Sequence, residues 1–576
     1  MISERYKKQI LLLVITFIFF AYMTGLNLNY LNPRNIDWIF FAGNLEDGSL
    51  YWFGWEFFRW TNIIQYPLLD NYPYGEELNI SLIYNDSIPI MSIFLKFFTN
   101  YLGFPFQFFG LWHLICIYLQ ALFTLKILDM FINSKTIKFL LISIILLTPV
   151  LVFSLLLNHA SLFANWIIIA SIYFYLKPKF KYSFWLTLIV VSLLTQAYLF
   201  AMILPIFIAD LVQRVLKKEL RISDLFKFLG ITILLIASLF MLLGVETSKD
   251  TYHFYQGYGH FRMNLNSIFD SSVSFVSEDN YEIYRFSRLM PDLKDTTSIS
   301  GSGDHEGFNF LGIPVISLLI LSILNFKKGI LSFSRKKCIP ILTISFLLLM
   351  FALTNKVIFN ETLLITYPLP SFIKNFFATF RSSGRFFWPV LYIISFISFY
   401  SFTRLFNKKS CTIILSILLI VAFIDSFDIY SKTRAIKSVK LSYSGPTWKQ
   451  LLKDPAWNNL ALRYNKVKFI YPDLLPTDFT SKVNLFAVSN GLSVNGGYLA
   501  RVKKSTLLKV RKTLKDSIRN CNFENDSIYV FSDKELWHDA SLCSPANKVL
   551  EIDGIYVLGP SQELNVLRLN ESYKKK

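Results

Sequence analysis

Residues 4–28 read ERYKKQILLLVITFIFFAYMTGLNL, and they decide the fold class. Three cations, Arg5, Lys7 and Lys8, precede a run from 9 to 28 that is almost wholly apolar. At ~1.5 Å per residue such a run measures ~30 Å, the thickness of a bilayer's hydrocarbon core. No small-residue cleavage site follows it. It reads as an uncleaved first span with its N-terminus inside, not as a signal peptide. Similar runs recur as far as residue 429 and then stop. A soluble chain of 576 residues, 53% hydrophobic and 17% aromatic, could not bury them all; its mean hydropathy of +0.43 points the same way.

The net charge of +19 invites a nucleic-acid reading. Topology explains it better, because Lys and Arg are retained in cytoplasmic loops. Basic clusters stand at Lys126/Lys135/Lys138, Lys177/Lys179/Lys181, Arg214/Lys217/Lys218/Arg221/Lys227, Lys327/Lys328/Arg335/Lys336/Lys337 and Arg404/Lys408/Lys409. Placing all of them inside gives spans near 9–29, 106–126, 139–157, 162–176, 183–196, 198–212, 226–244, 310–325, 339–354, 386–403 and 412–429. The expected fold is an α-helical integral membrane protein of about eleven spans. Residues 1–429 form its membrane domain, with outer loops 30–105, 245–309 and 355–385, and 430–576 form an extracytoplasmic domain. The first two loops are rich in acids, an independent mark of the outer side. Residues 88–104, with Lys96 in the middle, would invert every later loop if they crossed, so they are expected to lie at the outer interface.

After Tyr430 the apolar runs shorten to strand length, as in Val467–Tyr471, Ser527–Phe531 and Gly554–Leu558. That pattern predicts a small α/β domain. Of five cysteines only Cys521 and Cys543 fall in it, on the side where thiols can oxidise. They are expected to pair, the alternative being two free thiols.

Nucleotide-binding and metalloprotease signatures are missing, which argues against catalysis driven by cytosolic ATP or NAD. Candidate chemistry gathers instead on the outer segments. In 43–59, GNLEDGSLYWFGWEFFR, Asp47 and Arg59 lie among aromatic rings; a carboxylate desolvated there would suit proton transfer, whereas Asp47 as a plain turn residue is the bland alternative. Asp86 either caps a helix starting near Ile88 or serves as a second carboxylate. Arg381 and Arg385 offer two forked cations suited to phosphate, or else snorkel to lipid headgroups. His159, Tyr198 and Glu306 fall at the same face, in the turns around 158–159 and 196–198 and before the span at 310.

The stretches Gly54–Arg59, Asn85–Pro89, Phe106–Trp112, Glu306–Asn309 and Phe380–Pro389, together with Asp47, resemble an uncharacterised bacterial membrane family grouped with the GT-C superfamily of integral-membrane glycosyltransferases. The resemblance implies a polyprenyl-phosphate sugar as donor, an acidic residue of the first outer loop as catalyst, an envelope glycan as acceptor and residence in the bacterial plasma membrane. The usual paired Asp motif of that superfamily is replaced by Glu46-Asp47. On this basis Asp47 is the expected base, Asp86 the second carboxylate, and Arg381 and Arg385 the phosphate ligands. Arg59, His159, Tyr198 and Glu306 are further candidates. A divalent metal is left open, membrane lipids are expected neighbours, and nucleic acid is not an expected partner. The competing functions are a lipid or glycan flippase, which would gather charge at the bilayer midplane, and a non-catalytic envelope assembly protein.

Overall fold

The protein's structure, a computed structural model, describes residues 4–40, 47–78, 80–245, 258–276, 281–291, 304–324, 335–438, 452–472, 478–497, 499, 501–543 and 548–560. Glu46 and the pair Lys327/Lys328 lie outside the described residues. The chain forms two compact units. The first comprises Met1–Asn27, Leu111–Ile233 and Phe254–Ser438, and the second Leu28–Gly110, Leu234–His253 and Val439–Lys576.

Each segment expected to cross a membrane contains a helix, but several helices fall short of the expected bounds: residues 106–108, 162–165, 194–196 and 310–312 are not helical. Among the described residues four helices are long and apolar enough to span: Phe109–Leu128, Ala197–Leu216, Ile222–Leu243 and Ser383–Leu405. The number rises to six if two bent pairs each make one span, Lys135–Leu146 with Pro149–Leu156 at 41° and Lys408–Asp425 with Phe427–Lys437 at 55°. Pro149 accounts for the first bend, since its ring displaces the hydrogen bond that would continue the helix. Trp166–Leu176 and Tyr182–Leu193 are only 11 and 12 residues long. At ~1.5 Å per residue they rise ~16–18 Å, so length alone does not carry them through a bilayer. The helix Ile222–Leu243 points to lipid by another route. Only 11% of its apolar window is buried by the protein, an exposure that water would not tolerate.

One buried ion pair ties the first unit together. Asp210 accepts from Trp185 Nε1 at 2.8 Å and pairs with Arg214 Nε at 2.9 Å. Arg214 also donates to the carbonyls of Lys177 (2.6 Å) and Pro178 (2.7 Å). The pair therefore anchors a connecting turn. Two antiparallel hairpins complete the unit, β1 (Ser272–Val276) with β2 (Tyr281–Arg285) and β3 (Lys356–Phe359) with β4 (Thr362–Thr366).

The second unit contains the α/β region. Its five strands are β5 (Lys466–Phe469), β6 (Ser493–Val494), β7 (Ser527–Phe531), β8 (Lys548–Ile552) and β9 (Ile555–Gly559), in the order β6-β5-β7-β9-β8. The β5–β6 and β5–β7 pairs are parallel, as their helical crossovers require; β7–β9 and β8–β9 are antiparallel. Cys521 and Cys543 are disulfide-bonded, with Cα atoms 5.1 Å apart.

This region does not stand alone. Residues 73–76 lie along its β6 edge: Gly75 N donates to Val494 O at 2.7 Å and Val494 N to Pro73 O at 2.8 Å. Lys468 Nζ lies 2.8 Å from Glu77 and 2.5 Å from Glu524, and Lys466 pairs with Glu76 at 3.1 Å. Residues 88–104 form two short helices, Pro89–Lys96 and Thr99–Leu102, broken at Phe97–Phe98. Lys96 turns inward and donates to Thr61 Oγ1 at 2.6 Å.

Candidate functional site

Two glycines let three stretches of the first unit's backbone touch. Gly384 sits in the 3-10 turn Ser383–Phe387, which feeds the helix Trp388–Leu405 with Pro389 in its first turn. Gly384 N donates to Phe261 O at 3.0 Å. Asn309, fully buried, ties the crossing by donating to Gly307 O (2.8 Å) and Gly384 O (3.1 Å). A Cβ at Gly384 would stand 2.6 Å from Gly307 Cα, and one at Gly307 only 2.0 Å from Arg262 O. The sequence must keep both positions bare for the segments to meet.

That crossing places Arg385 against Glu306 as an ion pair, with side chains only 8% and 11% exposed. The Arg385 guanidinium also lies over the Tyr198 ring, 5.1 Å from its centroid. Tyr198 is held in turn, its hydroxyl accepting from Ser382 N at 3.1 Å and its ring meeting Phe380 edge-on at 5.4 Å. Arg381 lies over Phe261 at 5.5 Å. Burial alone would raise the Glu306 pKa. Arg385 first, then His305, His159 and Arg381, reverse that and hold it below the usual carboxylate range. Glu306 is thus an ionised group among four cationic or titratable neighbours. A poor proton acceptor, it is well suited to fixing Arg385.

Beside this cluster lies a small, partly open recess with room for about one water. His305 and Gly307, on either side of Glu306, line it with Asn264, Ser267, Asp270, Ser272 and Phe308. Asp270 is buried, and its Oδ1 accepts from Ser272 N (3.1 Å) and Ser272 Oγ (2.9 Å). The lining holds hydroxyls, an amide, an imidazole and one carboxylate but no Lys or Arg, whereas both arginines belong to the neighbouring cluster.

Five of the residues singled out from the sequence, His159, Tyr198, Glu306, Arg381 and Arg385, therefore gather in one unit. Asp47, Asp86 and Arg59 belong to the other. Asp47 opens the helix Asp47–Phe58, and its side chain lies outside the described residues. Asp86 does not cap the helix Pro89–Lys96: that place is taken by Ile88, without a side-chain bond, and Asp86 is a half-buried left-handed residue (φ 53°) ending a 3-10 turn. Arg59 proves structural. It pairs with the equally buried Glu56, donates to Gly103 O at 2.8 Å and lies over Trp60 at 4.8 Å, so it clamps the 99–106 segment. Burial pushes the Glu56 carboxyl up to about 7 despite the arginine.

His305 and Asp270 were not singled out from the sequence, because nothing local marks them. Lys437 was equally hidden. It is fully buried, with Nζ on Asn158 Oδ1 next to His159, and burial drives its pKa well down. Among the described residues no group of three or more His, Cys, Asp or Glu could hold a metal.

Residues 13–427 match the family described as a domain of unknown function, DUF6311. The chain belongs to the DUF6311 family. Residues 456–560 match the DUF6311 C-terminal domain, a stretch that contains all of β5 to β9. No curated protein matches the sequence. The DUF6311 match spans every residue of the arginine–glutamate cluster and of the recess, so the site belongs to the family's own region and not to an appended segment.

Proposed function

We propose that this DUF6311 protein is a membrane glycosyltransferase of the GT-C kind, taking a sugar from a polyprenyl-phosphate donor and passing it to an extracytoplasmic envelope glycan. The observation that carries this is the Arg385–Glu306 pair, stacked on Tyr198 with Arg381 nearby and adjoining a polar recess that holds no Lys or Arg. A lipid-linked sugar phosphate has the same division, an anion beside a polyol. Arg381 and Arg385 hold the phosphate, Glu306 orients Arg385 as a positioning residue, and the polar rim of the recess meets a sugar hydroxyl. In the transfer step an acceptor hydroxyl oxygen forms a bond to the anomeric carbon as the bond from that carbon to the phosphate oxygen breaks. The electron pair leaves with the lipid phosphate, and the hydroxyl proton passes to a carboxylate base.

Eleven crossings, with the N-terminus cytoplasmic and residues 430–576 outside, complete the proposal. They are supported by the basic clusters at alternate helix ends and by the grouping of 28–110 with 439–576 in one unit, as expected of segments that share one side of a bilayer. The buried Asp210–Arg214 pair is the kind of charge a flippase would place at midplane, but it is bound to the carbonyls of a connecting turn.

Binding of farnesyl phosphate to the detergent-solubilised protein tests the donor site. Farnesyl phosphate should bind and farnesol should not, and Arg385→Gln should weaken binding about tenfold or more. Equal binding of phosphate and alcohol, or an unchanged Arg385→Gln, rejects the donor site. Sidedness is tested with an impermeant thiol reagent on whole cells, which should label Lys512→Cys and miss Lys409→Cys; the reverse pattern rejects the topology.

A further inference from the structure

The helix Lys504–Arg519 of the second unit buries Leu507, Val510, Leu514 and Ile518. The opposite side carries Lys504, Lys509, Lys512, Lys515 and Arg519, all exposed. At ~100° and ~1.5 Å per residue the five cations fall within an arc of about 140° and extend ~22 Å along the axis. The single acid of the helix, Asp516, is half-buried. Among the described residues none of the five cations is in an ion pair. Arg511, by contrast, is committed to the fold, donating to Pro472 O at 2.9 Å and lying over Tyr471 at 4.4 Å.

The positive-inside bias does not account for this row: it acts on short loops beside spans, not on a long tail well beyond the last one. Lys512, Lys515 and Arg519 stand three and four residues apart, a spacing at which like charges repel; Asp516, four residues after Lys512, and the C-terminal end of the helix offset part of that. The face still carries five cations against one acid, and a linear anion would relieve the excess.

We infer that this face binds a linear anionic polysaccharide laid along the helix. A bilayer surface fits less well. A helix that enters the interface turns its apolar side to lipid, whereas here that side is buried in the domain and Leu508 is the helix's one exposed large apolar residue. The assignment does not depend on sugar transfer or on the arginine–glutamate cluster.

The test uses the full-length protein in neutral detergent and fluorescently labelled polygalacturonate. Wild type should bind, more weakly as salt is added. The combined variant Lys504→Gln, Lys512→Gln, Lys515→Gln, Arg519→Gln should lose about tenfold in affinity. A control that removes four exposed cations of the first unit, Lys179→Gln, Lys181→Gln, Lys408→Gln and Lys409→Gln, should lose less than about twofold. Equal losses in the two variants would mean that only net charge matters and would overturn the inference, as would no loss in either. Binding to phosphatidylglycerol vesicles but not to polygalacturonate would overturn it in favour of a membrane surface. All four positions are exposed, so the fold should survive; if thermal melting shows otherwise, Lys512→Gln and Lys515→Gln singly should each give a measurable part of the loss.

Discussion

Replacing Glu306 by glutamine should cost the protein ~3 kcal/mol at neutral pH. Removing one partner of a buried pair costs ~3–5 kcal/mol, because the other charge is left in a poor solvent. The lower end applies here. An amide keeps one acceptor for Arg385, and the side chains retain 11% and 8% exposure, enough for some contact with water. The pH dependence separates this cause from a general loss of packing. Burial raises the Glu306 pKa, but Arg385, His305, His159 and Arg381 together bring it below its ordinary 4.5. A carboxyl whose pKa is depressed by folding contributes stability above its unfolded value, and that contribution is lost as pH falls through the folded one. The gap between wild type and Glu306→Gln should therefore be widest near neutrality and should close as pH falls below 4.5. Unfolding in detergent, followed by tryptophan fluorescence from pH 7 down to the acid limit, measures the gap, with the exposed Glu361→Gln as control. Equal stability of Glu306→Gln and wild type at pH 7, or a gap that stays constant into acid, would refute the ion-pair account.

Gly384→Ala should cost ~1–3 kcal/mol or prevent folding, since its new Cβ would meet backbone at 2.6 Å; normal melting and yield would show that the crossing can open. Lys468→Gln leaves Glu77 and Glu524 facing each other, and their 32% and 51% exposure limits the loss to ~1–2 kcal/mol. The Lys468 pKa is raised, so its contribution should be constant at ordinary pH and fade only above 10.5, which a stability titration checks. Cys521→Ser opens a bridge between residues 22 apart in sequence and should lower stability by ~3 kcal/mol, equal to the effect of dithiothreitol on wild type in the same melt.

Hydropathy and charge marked where apolar helices lie, but not which of them are long enough to cross a bilayer. They did not show the breaks. The bend at Thr148–Pro149 was visible as a proline, but the one at Ser426 has no such mark in the sequence. Strands β5, β7 and β9 were legible as short apolar runs. The two-residue β6 was not, because it exists only by pairing with β5 and with the 73–76 segment. In the candidate site Arg385, Glu306 and Tyr198 could be listed from sequence as polar groups near helix ends, yet their meeting depends on Gly307 and Gly384, whose role is steric and leaves no chemical signature. Arg59 was misleading for a related reason. A buried arginine that clamps a loop has the same letter as one that binds phosphate.

The edge contact at β6 has a consequence for biosynthesis. Glu77 is translated long before its partner Lys468, 391 residues later. At ~5–20 residues per second the acidic pair Glu76–Glu77 waits roughly 20–80 s for its lysines. During that interval the carbonyl of Pro73 and the amide of Gly75 have no strand to join. The 73–76 segment must therefore wait unpaired until the α/β region has been made, and proteolytic loss of a truncated chain should arise first at this segment.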